Sequence, residues 1–174
     1  MNNLVLGLTT FLVGALLFSA CGYHNPYVYT GPTKSIYVTT WSNRTSELLL
    51  DAKIYQALLR WYQKSGSLRV TKTKEGADYI LAGEVISIDR PSLTFRGTNT
   101  TTQVNLRLRV RYVLKDLVSD EIVVEQPSEE WIEPYRVGAD STRTRDNEDE
   151  ALETIIDELS QSIYQRSLLE FSQR

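Results

Sequence analysis

The clearest signal in the chain is a two-residue alternation. Val104, Leu106, Leu108, Val110, Tyr112 and Leu114 alternate with Gln103, Asn105, Arg107, Arg109, Arg111 and Val113. A period of two sends alternate side chains to opposite faces, so this segment predicts a strand with one buried face. Ahead of it, Ala77 to Asp89 is long, mostly apolar and free of proline, the pattern of a central strand. Gly83 within that run marks a bulge or a close approach of a packed helix. Arg90-Pro91 ends it, Asp116 to Asp120 reads as a turn, and Glu121 to about Trp131 returns as the last strand. Two shorter runs, Ile36 to Trp41 and Leu68 to Thr71, are also strand-like.

Two segments follow a helical period instead. Leu50, Ile54, Ala57, Leu58 and Trp61 share one face of a helix that runs to about Lys64 and stops at Gly66. Asn43-Arg44-Thr45-Ser46 supplies its N-cap, and Glu47 lies in its first turn. Leu152, Ile155, Ile156, Leu159 and Ile163 form the stripe of a second helix that runs to near Leu169. Asp146 to Glu150 opens it, with Asn147 and Glu150 in a capping arrangement, and Glu133 to Arg145 reads as a loop. The order strand, helix, several strands, helix predicts an α+β two-layer sandwich. Two helices pack on one face of a mostly antiparallel or mixed sheet of about four to five strands.

The other sheet face is polar, and at Arg107, Arg109 and Arg111 it is charged. With a turn centred near Val118, Arg111 falls opposite Glu125 and Arg107 opposite Glu129. Such cross-strand pairs contribute roughly 0.2–1 kcal/mol each. An anion-binding face is the second reading of the same row.

The N-terminus carries a different pattern. Leu4 to Ala20 is uncharged and apolar, and it ends in Ser19-Ala20 before Cys21, the only cysteine. An apolar run, small residues and then Cys is how bacterial lipoprotein precursors begin, with cleavage before the Cys and acylation of its thiol. Phe18 replaces a commoner aliphatic residue, and Met1-Asn2-Asn3 has no basic side chain. A retained anchor and a secretory signal with a free thiol are the competing readings, although 17 residues is at the short limit for a span. Residues 1–20 are thus read as a signal peptide, 21–33 as a Tyr-, Pro- and Gly-rich tether, and 34–174 as one domain. Gly22 follows the Cys; in Gram-negative lipoproteins an Asp there commonly means inner-membrane retention, so Gly22 favours the outer membrane.

Composition narrows the chemistry. A net charge of −3 is too mild, and of the wrong sign, for non-specific nucleic-acid binding. The one Cys leaves no internal disulfide, and His24 in the tether is the only His. A Ser-His or Cys-His pair inside the domain is therefore excluded, and zinc lacks ligands. Asp146 to Glu150 lacks the ligand spacing and glycine of a calcium loop. No cofactor, metal site or enzymatic activity is expected. Arg90 and Arg96 lie between two long strands, with no acidic residue between Arg90 and Gln103, and Arg145 precedes the second helix. A guanidinium on an exposed loop holds phosphate oxygens in a bidentate grip, which makes these three candidates for an anionic ligand.

Several of these pieces occur together in one family. Cys21-Gly22-Tyr23-His24, Ile88-Asp89-Arg90, Phe95-Arg96, the alternating strand Gln103 to Tyr112, and Asp146-Asn147-Glu148 resemble, in order, the LptE family of outer-membrane lipoproteins. The resemblance implies a two-layer domain that plugs the LptD β-barrel and contacts lipopolysaccharide through basic residues, here Arg96 and Arg145. A second class shares a strand, an Asn-Arg-Thr turn, a helix and an Ala-Asp strand reaching a Gly, here Ala77-Asp78 to Gly83. It comprises lipoprotein activators of cell-wall synthases and TolB-like or curli-pore-like modules, which bind a periplasmic protein. Mass spectrometry of the mature protein should find an acylated Cys21 and no residues 1–20. An intact signal segment or a free thiol contradicts this.

Overall fold

A computed structural model describes residues 31–64, 68–90 and 103–172. The strands are β1 (Lys34–Val38), β2 (Ser42–Asn43), β3 (Leu68–Thr71), β4 (Tyr79–Asp89), β5 (Gln103–Asp116) and β6 (Ile122–Arg136). The helices are α1 (Leu50–Gln63), between β2 and β3, and α2 (Ser141–Ser172), which ends the described chain. All six strands join one sheet in the order β3-β1-β4-β5-β6, with the two-residue β2 paired to β4. The pairs β1–β3, β1–β4 and β2–β4 are parallel; β4–β5 and β5–β6 are antiparallel. The α+β sandwich with a mixed sheet is as the patterning predicts, and β2 is the strand beyond the expected four to five.

The period-two run decides which face is covered. Leu106, Leu108, Val110, Tyr112 and Leu114 are all buried, while Arg107, Arg109 and Arg111 point to the opposite, helix-free face. Leu50, Ile54, Ala57 and Leu58 of α1 and Leu152, Ile155, Ile156, Leu159 and Ile163 of α2 close over the apolar row. Trp61 is only half-buried, its Nε1 donating to Asp157 of α2 at 3.0 Å, and Tyr62 takes the core position. Tyr62 meets Tyr164 edge-on at 5.6 Å and exchanges a 2.6 Å hydrogen bond with Ser167. A buried phenol needs such a partner, because an unpaired one costs about 1–3 kcal/mol.

The parallel half of the sheet is fixed at its start by Asp78. Its carboxylate accepts the Ser35 backbone N–H at 2.6 Å and the Ser35 hydroxyl at 2.7 Å, and its own N–H donates back to Ser35 O. Gly83 marks neither a bulge nor a helix contact. The register irregularity in β4 falls between Val85 and Ser87. A Cβ on Gly83 would lie 2.4 Å from the Trp41 indole, which stacks on Tyr112 at 6.2 Å and 22°. Tyr112 is the register partner of Gly83, so the glycine makes the slot that the indole fills.

Both helix starts differ from the sequence expectation. Asn43 shapes a turn rather than capping α1: its Oδ1 accepts from Thr45 N and Oγ1, and its Nδ2 donates to Glu47 O. The helix begins at Leu50, after Leu49 in the left-handed region at φ 63°, with no side-chain cap. Glu47 therefore stands outside the helix. The second helix begins earlier than expected. β6 runs on to Arg136 and α2 opens at Ser141, so most of Glu133 to Arg145 is regular structure. Asp140 is its cap, the carboxylate accepting Arg143 N–H at 2.8 Å, and Asn147 lies inside the helix with its Nδ2 on Arg136 O. The polar Ser141-Thr142-Arg143-Thr144 carries no apolar period, so this first turn was invisible to a periodicity argument.

Replacing Gly83 with valine should expel Trp41 from its slot. Overpacking of this kind costs about 1–3 kcal/mol, or roughly 2–12 °C in Tm for a domain of this size. Thermal unfolding and near-ultraviolet circular dichroism check it; an unchanged Tm with an unchanged aromatic signal contradicts the close-approach account.

Candidate functional site

On the helix-free face the arginine row is paired, with partners other than those a simple hairpin count assigns. Arg109 Nη2 donates to Glu130 at 2.7 Å, and Arg107 stands 3.6 Å from the same carboxylate. Arg111 pairs with Glu84 of β4, which also accepts from Arg44 Nε. The Arg111 contact is an ion pair whose N–H is not directed at the oxygen. Glu125 and Glu129 are not the partners. Register irregularities between Leu114 and Lys115 and between Val110 and Tyr112 slide β6 along, so that Glu130 faces Arg109 and Ile132 faces Arg107. The arginines remain between 46% and 60% exposed. The pairs of Arg107 and Arg109 with the half-exposed Glu130 are near the surface value of about 0–1 kcal/mol, whereas Glu84 is buried and depends on Arg44 and Arg111 for its compensation. The guanidinium edges stay open to solvent.

Glu129 instead turns to the helix side. Arg166 of α2 holds it with two hydrogen bonds at 2.9 and 2.7 Å and also donates to the Tyr112 hydroxyl. This group clamps α2 to the β5–β6 hairpin. Burial, then the neighbouring Glu129 charge, pushes the Tyr112 phenol above the usual tyrosine range. The hydrogen bonds that Arg166 donates to Glu129 raise the pKa of its guanidinium, so it stays charged.

The three arginines singled out from the sequence have separate fates. Arg90, just past β4, bridges Glu47 and Glu148, both at 2.8 Å, so it ties the turn before α1 to α2. Arg145 lies in α2, one turn before Glu148, exposed and without an ion pair among the described residues. Arg96 and Cys21 lie outside the described residues, as does His24. Arg90 and Arg145 are therefore brought to one end of the domain. Sequence reading passed over Arg44, Glu84 and Arg166. Glu84 carried a usable signal: an acid in the middle of an apolar central strand needs a cationic partner. Among the described residues no cluster of three His, Cys, Asp or Glu side chains forms a metal site. Nor is any described helix long and apolar enough to cross a membrane.

The domain thus has two layers, with one sheet face sealed by helices and the other an open lattice of charged side chains. Solved structures share this fold. One is a Xanthomonas campestris protein, with 12% identity, TM-score 0.57, and 83% of this chain and 90% of that one covered. Another is lipoprotein B of Nitrosomonas europaea, with 13% identity, TM-score 0.55, and 87% and 93% covered. A third is a hypothetical protein of Chlamydia trachomatis, with 12% identity, TM-score 0.54, and 81% and 99% covered. A search of curated proteins found no match. The family model for LptE, lipopolysaccharide-assembly, matches residues 33–167. The chain belongs to the LptE family, and thus to the lipopolysaccharide-assembly lipoproteins of the envelope.

Two buried tyrosines make stability fall in alkali. Burial raises the phenols of Tyr62 and Tyr112 above their unfolded value. The folded state then keeps protons that the unfolded chain releases above about pH 10, so stability is lost as pH rises past that point. The Tm should stay level from about pH 7 to 9 and drop beyond about 10, less steeply in Tyr62→Phe. An equal drop in wild type and variant contradicts the assignment to Tyr62.

Proposed function

We propose that this protein is an outer-membrane lipoprotein, anchored through acyl chains on Cys21, that sits inside an LptD-type β-barrel and binds lipopolysaccharide during its assembly. The observation that carries the reading is the family match across residues 33–167, nearly the whole domain. The geometry is compatible with it. A barrel lumen is polar and wet, and the domain offers it an open sheet face carrying half-exposed arginines rather than an apolar wall.

Arg96 and Arg145 are the proposed ligand contacts, with Arg90 third because Glu47 and Glu148 already hold it. The lipid A and inner core of the ligand carry phosphates that divalent cations bridge between neighbouring molecules. A protein that handles single molecules needs fixed cations in their place, and arginine supplies a charge that persists at any working pH. Arg145 is exposed and uncommitted among the described residues, as such a role requires.

Two measurements test this. Mild solubilisation of native membrane should recover the protein with an integral β-barrel, in a complex that survives high salt, since a large enclosed interface does not rest on screened charges. Recovery with a peptidoglycan synthase or as an oligomeric ring overturns the reading. Arg96→Glu and Arg145→Glu should each weaken lipopolysaccharide binding by the loss of a charge-assisted contact of about 1.5–3 kcal/mol, roughly ten- to hundredfold. The Tm should not change, because neither variant removes a described core contact. Unchanged binding in the double variant removes both from the site.

A further inference from the structure

Two large apolar side chains stand in water next to a residue that Arg90 holds. Leu48 and Leu49, which follow Glu47, are 83% and 69% exposed. The other exposed large apolar residues among the described ones, Val118, Ile122, Ile132 and Leu169, are not consecutive. Single residues of that kind are ordinary on a protein surface, whereas an adjacent pair calls for a reason.

The pair sits on a fixed turn. Asn43 Oδ1 accepts from the Thr45 N–H and hydroxyl, its Nδ2 donates to Glu47 O at 2.8 Å, and Glu47 N–H donates to Thr45 Oγ1 at 3.2 Å. Arg90 holds the Glu47 carboxylate, and Lys53 N–H donates to Leu49 O at 2.9 Å as the helix opens. Leu49 itself is left-handed at φ 63°, a conformation that suits glycine or asparagine and strains leucine. Packing does not offset the strain, because the Leu49 side chain lies mostly in water. Strained residues persist where the surrounding structure fixes them, and they cluster at ligand clamps.

Across the Arg90 bridge stands an unpaired cation. The Arg90 guanidinium holds Glu47 and Glu148 together, each at 2.8 Å. Leu48 follows Glu47 in the turn, and Arg145 precedes Glu148 in α2 by three residues, a rise of about 4.5 Å. Residues three apart share a helix face. Asn147, whose Nδ2 donates to Arg136 O, marks the other flank, the one turned to β6. Arg145 therefore lies on the side of α2 that Arg90 joins to the leucine turn. Among the described residues it makes no ion pair, with its neighbours Asp146 and Asp149 or with any other acid.

We propose that Leu48 and Leu49 receive an acyl chain of the same lipopolysaccharide molecule whose phosphate meets Arg145. The inference rests on the lipopolysaccharide reading above and adds the apolar half of that site. Charge and polarity together select the occupant. A soluble phosphate would use the guanidinium and leave the leucines wet. A neutral lipid would cover the leucines and leave the cation unmatched. An amphiphile with an anionic head uses both. The lumen of a barrel is otherwise polar, so the leucine turn gives such a chain an apolar rest inside it.

The test uses the full chain in mild detergent and two probes. One is rough-type lipopolysaccharide; the other is the same molecule stripped of its acyl chains with its phosphates intact. Leu48→Ser/Leu49→Asn should weaken binding of the intact probe roughly ten- to hundredfold, the effect of returning one to two leucines to water. Binding of the deacylated probe should not change, whereas Arg145→Glu should weaken both. Asparagine suits the left-handed backbone, so the Tm should hold or rise. If it falls, Leu48→Ser alone, which leaves residue 49 untouched, carries the same test. A leucine variant that binds the intact probe as tightly as wild type overturns this inference alone, and so does an equal loss for both probes. Wild-type protein that binds neither probe overturns the lipopolysaccharide reading with it. A variant that keeps the intact probe but no longer co-purifies with the barrel assigns the turn to a protein partner instead.

Discussion

The structure depends on a constraint of strand geometry. Alternate side chains of β5 point to opposite faces, and one set is apolar while the other holds three arginines. A slip of one residue would put Arg107, Arg109 and Arg111 under the helices and Leu106, Leu108 and Val110 in water. Desolvating three guanidinium groups is unaffordable for a domain whose net stability is about 5–15 kcal/mol. Register is thereby specified for β5, and through it for β4 and β6, which pair along most of its length. The helices add to this arrangement, since their apolar stripes have only one apolar sheet face to cover.

Charge then links the layers at a few points. Arg166 joins Glu129 and Tyr112 across the helix–sheet interface, and Arg90 joins the turn before α1 to α2. These contacts cross between elements far apart in sequence and are partly shielded from solvent, so breaking one leaves a poorly compensated charge. The lattice on the open face is different. Its arginines stay close to water, and the pairs at Glu130 add little stability, while the buried Glu84 is compensated by Arg111. A sheet face of that kind suits contact with another polar surface better than burial in a second hydrophobic core.

Membership of the LptE family gives these features a setting in envelope assembly. The two ends of the domain are then chemically distinct. One gathers Arg90, Arg145 and the turn at Leu48 and Leu49; the other carries the start of β1 and the hairpin tip at Val118.

The sequence by itself determined the layers and the faces, because periods of two and 3.6 are local properties of the backbone. The buried row of β5, the apolar stripes of both helices and the exposed arginines all follow from it. Charged-residue roles followed only in part. That the arginine row is paired is local in kind, but which acids pair with it depends on register irregularities in β6 and on Glu84 from β4, neither of which leaves a periodic trace. The start of α2 at Ser141 was hidden because its first turn is polar and is held by Asp140 rather than by packing. Gly83 announced a close approach, yet only the fold could bring Trp41 to it, since the indole comes from a segment that pairs with β4 by long-range contact. Tertiary structure alone decided that Arg90 is bound between two glutamates while Arg145 is left open. The physical reason is that a charge finds its partner by distance in space, and distance in space between separate elements is what a linear pattern does not encode.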